Sequence, residues 1–374
     1  MSRPNTRKAV CLVIQPKTSL LTLTPYVPGR SIESVYQDTG IEAIKLASNE
    51  SLWGPSPKAI DAAKKALNHL SLYPEAHLSE VYELLADLSG LSADHIITGN
   101  GADELLQLIA LTFAGPGDEV IFPAPSFSAY RHGTLLTGAT PVIIPVNSQG
   151  APDLQEALAH VSPKTRIIFL CSPNNPTGGI LHQDEWNAFL EHVPPSVLVV
   201  VDQAYYEFVE DPHYAQLRED ILAGRPVIMV RTLSKIYALA ALRIGWAAAP
   251  LPIIQSLRTV RQPFSVNRVA YMAAQGALTD QEYVAKVRQE TVAARAFMAD
   301  QFSQRGYSFW PSHANFITID LHDDAEKWAR QLEMMGYVTR PATSFGLPHH
   351  LRVTVAPIPI LEGFFNAFDR VRER

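Results

Sequence analysis

The chain has 374 residues, 47% of them hydrophobic, with 31 basic against 37 acidic side chains and a formal net charge of −6. That length exceeds one compact core and predicts two packed domains, and a balanced charge without any basic block argues against nucleic acid as a partner. Cys11 and Cys171, the two cysteines, lie far apart without CxxC spacing, which argues against a disulfide framework or a thiolate metal site and fits a reducing, cytoplasmic compartment.

In chain order, Arg3, Arg7 and Lys8 precede a short apolar stretch at 9–14 that has the outline of a signal peptide. The stretch is too short for one, and Gln15, Pro16 and Lys17 end it without a cleavage pattern. No later run reaches the length of a membrane span, so no membrane partner is expected. Residues 1–45 read as an N-terminal arm. Helical spacing then predicts helices over 57–70, 78–88 and 102–112, the last directly after Gly99-Asn100-Gly101. Short apolar, β-branched runs at 120–122, 142–146, 166–171, 197–201, 227–231 and 244–248 predict buried strands, with helices at 153–160 and 184–192 between them. Such alternation is an α/β pattern, a mainly parallel sheet covered on both faces. Beyond residue 265 the texture changes to helices over 280–304 and 324–335 and strands near 314–319 and 351–355, a smaller α/β unit. The predicted division is 46–264 for a large domain and 265–374 for a small one, with the boundary near Pro263. The histidines are scattered, and His349-His350 lacks helical ligand spacing, so no metal is expected.

Four segments carry chemistry, each just past a predicted strand or opening a helix. Thr232-Leu233-Ser234-Lys235 puts a lysine at the carboxyl end of a strand, the end that faces the ligand crevice in open α/β sheets. Lys235 would supply an amine to a carbonyl cofactor, and Thr232, Ser234 and Arg243 would hold its phosphate. Alone, these read as solvated charges beside a core strand. Asp202-Gln203-Ala204-Tyr205 follows the strand at 197–201. Asp202 could pair with a protonated ring nitrogen and Tyr205 could donate to a ring oxygen; alone, they read as a helix cap and a packed aromatic. Ser172-Pro173-Asn174-Asn175-Pro176-Thr177-Gly178-Gly179 is a good rigid turn by itself, yet its Asn175 amide could reach the same oxygen. Gly99-Asn100-Gly101-Ala102-Asp103 opens a helix whose amides at Gly101, Ala102 and Asp103 could bind an anion. It lacks the third glycine of a dinucleotide fingerprint.

In this order the segments resemble the fold-type I pyridoxal 5'-phosphate (PLP) enzymes, and within them the histidinol-phosphate aminotransferase branch. The likeness runs nearly end to end, from Pro25-Tyr26-Val27-Pro28-Gly29 through Leu46-Ala47-Ser48-Asn49-Glu50 and Tyr73-Pro74-Glu75 to Leu351-Arg352-Val353-Thr354-Val355. It implies a mainly parallel, seven-stranded sheet, and it implies that Lys235 forms a Schiff base with PLP and then acts as general base and acid. By the same likeness, Asp202 would hold the ring nitrogen, Tyr205 and Asn175 the phenolate oxygen, and Phe127 would stack on the ring. Gly101, Ala102, Asp103, Thr232, Ser234 and Arg243 would surround the phosphate. Tyr73 would reach the cofactor of a partner subunit, so a homodimer is expected. Arg352 would clamp a substrate α-carboxylate, Arg340 would lie near the distal end of the substrate, and Tyr26 and Asn49 would complete the substrate site. The implied reaction is amino transfer from histidinol phosphate to 2-oxoglutarate in histidine biosynthesis.

The sequence departs from that pattern in places. Phe127 stands for a tyrosine and Gln203 for an acid, Ala241 replaces a glycine, and Ala356-Pro357-Ile358-Pro359-Ile360 replaces a polar stretch. Ser51-Leu52-Trp53 adds bulk expected near the substrate entrance. These departures leave open an aromatic or otherwise specialised aminotransferase, or a PLP-dependent decarboxylase of a phosphorylated amino acid.

Overall fold

In the computed structural model of the chain, residues 15–23, 29–74 and 79–373 are described. Thirteen strands occur among them: β1 (Ile44–Lys45), β2 (Ile96–Gly99), β3 (Glu119–Pro123), β4 (Thr140–Ile144), β5 (Thr165–Cys171), β6 (Leu198–Asp202), β7 (Val227–Thr232), β8 (Gly245–Ala248), β9 (Ser308–Phe309), β10 (Phe316–Asp320), β11 (Tyr337–Val338), β12 (Arg340–Pro341) and β13 (His350–Thr354). Strands β2 to β8 form one seven-stranded sheet in the order β2-β8-β7-β6-β5-β3-β4. Only β8 runs against its neighbours. Its connection from β7 contains no crossover α-helix, so the chain turns back beside the strand it has just left. That return leaves Thr232 opposite Gly245 and brings both ends of the 233–244 loop, with Lys235 and Arg243, to one edge of the sheet.

The strands are apolar on both faces because both faces are covered. Ile168, Leu170, Val199, Val201 and Met229 enter one core, while Ile167, Phe169, Val200, Ile228 and Val230 enter the other, the period-two alternation of a doubly covered sheet. In chain order the helices are α1 (Ile32–Thr39), α2 (Pro57–Ala66), α3 (Ser79–Ser89), α4 (Gly101–Phe113), α5 (Ala129–Thr137), α6 (Leu154–Ala159), α7 (Gln183–His192), α8 (Arg218–Leu222), α9 (Leu251–Val260), α10 (Arg268–Leu278), α11 (Gln281–Gln304), α12 (Ala325–Glu333) and α13 (Ile358–Arg372). Helix α2 stops at Ala66, short of the predicted residue 70, and passes into a 3-10 turn at Leu67–His69.

A second sheet, β12-β13-β10-β9, is antiparallel and packs with α12, α13 and the later half of α11 around Phe302, Phe364 and Phe368. The described part of the arm joins this unit. Strand β1 pairs with β11 in parallel, Val35, Ala43 and Ala47 cluster with Val338, and Arg30 bonds Glu333 at 2.5 Å.

Residues beyond Pro263 contribute heavily to the larger core. Ala270, Tyr271, Ala274 and Ala277 of α10, then Val284 and Val287 of α11, bury into it, whereas Ala294, Met298 and Phe302 of the same α11 enter the smaller core. We propose that the division falls inside α11, not at Pro263. The change of texture near 265 marks the end of sheet alternation, and α10 stays with the large unit because its small residues let it lie close against α2. At Gly276 that approach is tight: a Cβ would sit 2.4 Å from the Lys58 carbonyl oxygen. In an exposed helix Gly→Ala gains up to about 1 kcal/mol. Here overpacking dominates, and Gly276→Ala is expected to lower stability by about 1–2 kcal/mol in urea unfolding. A stabilised variant would contradict the close contact.

Candidate active site

Strands β5 and β6 end level with one another, and β7 runs two residues further, to Thr232. Cys171 is the register partner of Asp202, and Asp202 of Val230. A cavity of about 860 Å³ opens at these ends, between the large sheet and the β12–β13 pair. Lys235, Asp202, Asn175, Tyr205, Phe127 and Asn49 line it, as do Ala102, Asp103, Thr232, Ser234, Arg243, Arg340 and Arg352. Segments spread over some 300 residues of sequence thus meet around one space. Tyr26 lies outside the described residues. Tyr73 is elsewhere on the surface, 77% exposed and stacked on Phe264 with ring centroids 4.8 Å apart.

Asp202, the last residue of β6, is buried. Its Oδ2 accepts a hydrogen bond from the Tyr130 hydroxyl at 2.9 Å and its Oδ1 accepts from the Ala204 amide at 3.0 Å. Burial pushes this carboxyl up to about 6, against the opposing pull of those two donors. Lys235, partly buried, donates from Nζ to the Ser48 carbonyl at 3.1 Å. Burial first, and the Arg352 guanidinium second, bring its amine down to about 8. An acid that favours a cationic partner therefore shares the cavity with an amine held close to its neutral, nucleophilic form.

At the phosphate end, α4 begins at Gly101 without a side-chain cap on its free amides, and the cavity reaches Ala102 and Asp103 in its first turn. Arg243, in the left-handed region at φ 55°, donates to the Asp103 carboxylate at 3.1 Å and lies across this helix start. A Cβ on Gly101 would come within 2.6 Å of the Arg243 Nη2, and Gly101 itself has φ 84°, so only glycine lets the guanidinium rest there. Thr232 Oγ1 accepts from the Ser234 amide at 3.1 Å, which turns both hydroxyls toward the same place. Helix amides, a guanidinium and two hydroxyls are the donor set a phosphate requires, so the residues present fit PLP.

On the opposite wall, Arg352 is buried, donating to Asn175 Oδ1 at 2.5 Å and to the Ala47 carbonyl at 2.6 Å. With Oδ1 occupied, the Asn175 amide hydrogens remain as donors. Tyr205 accepts from Asn49 Nδ2 at 2.9 Å, and burial pushes its hydroxyl pKa up. Arg340 is the cross-strand partner of Arg352, is also buried, and donates to Ser344 Oγ at 3.2 Å.

Two contributors carried no expected role. Tyr130, fully buried, orients Asp202; it lies one residue into α5, and nothing in the sequence around it signals that role. The Ser48 carbonyl that holds Lys235 has no signal in its side-chain identity. Trp53 requires a correction. It does not line the cavity but packs against both cores and donates from Nε1 to Glu290 at 2.6 Å, because its large ring fills the seam between domains. The bulk expected at the substrate entrance is thus spent on the domain junction, which removes one support for an aromatic substrate.

Residues 41–359 match the family described as aminotransferase class I and II. A histidinol-phosphate aminotransferase of Moorella thermoacetica is 39% identical over 97% of this chain and 94% of its own length. One from Caldicellulosiruptor saccharolyticus is 40% identical over 89% and 93%. Among solved structures, the histidinol-phosphate aminotransferase of Sinorhizobium meliloti in complex with pyridoxal-5'-phosphate superposes with a TM-score of 0.85 at 26% identity, covering 96% of this chain and 97% of that one. The fold is shared more widely, as a TM-score of 0.81 with an aspartate aminotransferase of Thermus thermophilus at 23% identity shows. With this extent of match and these degrees of identity, the chain belongs to the class I and II aminotransferases.

Proposed function

We propose that this enzyme uses PLP to transfer the amino group between L-histidinol phosphate and 2-oxoglutarate. The observation that carries the substrate assignment is the pair Arg340 and Arg352, two buried guanidinium groups side by side on adjacent strands and facing one cavity. Two guanidinium groups lining one cavity favour a ligand that carries about two negative charges. A phosphate monoester supplies roughly that charge in one group, and a dicarboxylate supplies it in two, so one site serves both halves of the reaction. The fixed fork of Arg352, anchored by Asn175 and Ala47, suits a planar carboxylate or a phosphate face.

Bound PLP supplies a carbonyl carbon that condenses with amines and a ring that draws electrons from the carbon bearing the nitrogen. The chain supplies the rest. Asp202 would hold the ring nitrogen as a cation, Asn175 and Tyr205 would donate to the ring oxygen, and Phe127 would cover a ring face. Ala102, Asp103, Thr232, Ser234 and Arg243 secure the phosphate. Lys235 Nζ would hold the cofactor's carbonyl carbon and, as general base, would accept the proton from the substrate carbon that bears the amine. Tyr73 supports a homodimer: it stands exposed beside Leu70 and Leu72, its carbonyl fixed by Arg268 Nη2 at 2.6 Å, and turned outward where a partner's site could receive it. Among the described residues no helix is long and apolar enough to cross a membrane, and we place the enzyme in the cytoplasm on the logic of its cysteine spacing, which offers no disulfide framework, and of its proposed pathway.

Two measurements follow. The rate at which apoprotein captures PLP depends on neutral Lys235 amine, so it should rise with pH up to about 8 and level off above. Continued increase toward the pH of an ordinary lysine would show that the amine is not depressed. Arg340→Ala should reduce kcat/KM for histidinol phosphate by about a hundredfold, the loss of about 3 kcal/mol from an unpaired buried anion, while phenylalanine suffers far less. Equal losses on both substrates would contradict the assignment.

A further inference from the structure

Behind the cavity floor, three buried polar side chains connect the strand ends that carry Lys235, Asp202 and Asn175. Arg231 on β7 donates from Nε to Gln203 Oε1 at 3.1 Å. Gln203, immediately after Asp202, donates from Nε2 to the Tyr214 hydroxyl at 3.1 Å. Tyr214 in turn donates to the Ser172 carbonyl at 2.5 Å. Gln203 is 1% exposed and Tyr214 is 3% exposed, so solvent does not compete for these bonds. The Arg231 guanidinium is itself held flat, 3.3 Å from the centroid of the Tyr206 ring.

The direction of the chain is fixed by chemistry. A guanidinium has only donors, so Gln203 must turn its oxygen to Arg231 and its NH2 to Tyr214. Tyr214, accepting from that NH2, has one proton left to give, and it goes to Ser172. In this chain Gln203, standing where the resembled family has an acid, is the middle member that accepts on one side and donates on the other. Ser172 opens the turn that carries Asn175, and its own amide donates to the Asp202 carbonyl at 2.9 Å. The relay therefore spans β7, β6 and β5 just behind the groups that face the cavity.

We propose that Gln203 is a positioning residue for amino transfer: through Tyr214 it fixes the Ser172 carbonyl, and thereby the place of Asn175 relative to Asp202 and Lys235. Gln203 touches neither cofactor nor substrate. The inference rests on the proposed PLP chemistry, in which Asn175 donates to the cofactor's ring oxygen.

Gln203→Glu tests it with almost no change of volume. The new carboxylate still accepts from Arg231 but can only accept, so the Tyr214 proton turns to it and Ser172 loses its donor. Tyr214→Phe removes the same bond from the other side. In purified holoenzyme each variant should lower kcat roughly tenfold with little change in KM, as expected for a small misplacement. Each should also raise the pH midpoint of the visible absorbance of bound cofactor by about half a unit, because a displaced Asn175 no longer favours the anionic ring oxygen. The double variant should be no worse than the more affected single one. If one variant fails to fold, the other decides by the same two readings. Lower melting temperature with unchanged kcat and absorbance midpoint, or losses that simply add, would overturn the proposal. Wild-type protein that shows no cofactor absorbance would instead overturn the PLP reading beneath it, and the relay with it.

Discussion

Three parallel strands, β5, β6 and β7, are held in a fixed register with their ends at one cavity, and the functional groups depend on that alignment. Each strand is held over its length by aliphatic residues that alternate between two buried cores, so a slip of one residue would exchange the side chains of the two cores and undo the packing of both. Hydrophobic burial thus fixes the level at which Asn175, Asp202 and Lys235 leave the sheet. The polar side chains there need contribute little to stability; they are carried to their places by the strands behind them.

Burial also sets their charges. The cavity raises the carboxyl of Asp202 and lowers the amine of Lys235 by one mechanism, removal from water, which disfavours either charge. A ligand with a cationic ring nitrogen and an anionic phosphate would offset both penalties and also pair with Arg243 and the start of α4. Empty, such a site is electrostatically costly; occupied, its groups find partners. Under the proposed function, Arg340 and Arg352 follow the same logic, since an anionic substrate would lessen the repulsion between these two cross-strand partners.

Much of this was legible in the sequence. Asp202, Asn175 and Lys235 stand out because each follows a short β-branched run, and a polar residue at such a point lies at the sheet's ligand-facing edge. Gly101 and Arg243 are legible by family resemblance, although the reason for the glycine, the guanidinium lying over it, appears only in three dimensions. Other features leave no local trace. Strand β2 has only four residues and runs directly into a helix, so no periodicity develops. The roles of Tyr130 and of the Ser48 carbonyl depend on partners far off in sequence. Trp53 is misread as an entrance residue because Asn49 and Glu50, a few residues before it, line the cavity while its ring packs against both cores. The small residues of α10 carry no sign that they belong with α2, since close helix packing is a property of the pair.

The central claim is that these strand ends place one lysine, Lys235, to bind the cofactor covalently. Borohydride reduction of the holoenzyme followed by peptide mass mapping tests it directly. The account predicts a single reduced pyridoxyl adduct on the peptide containing Lys235; an adduct on another lysine, or none in protein that retains activity, would contradict it.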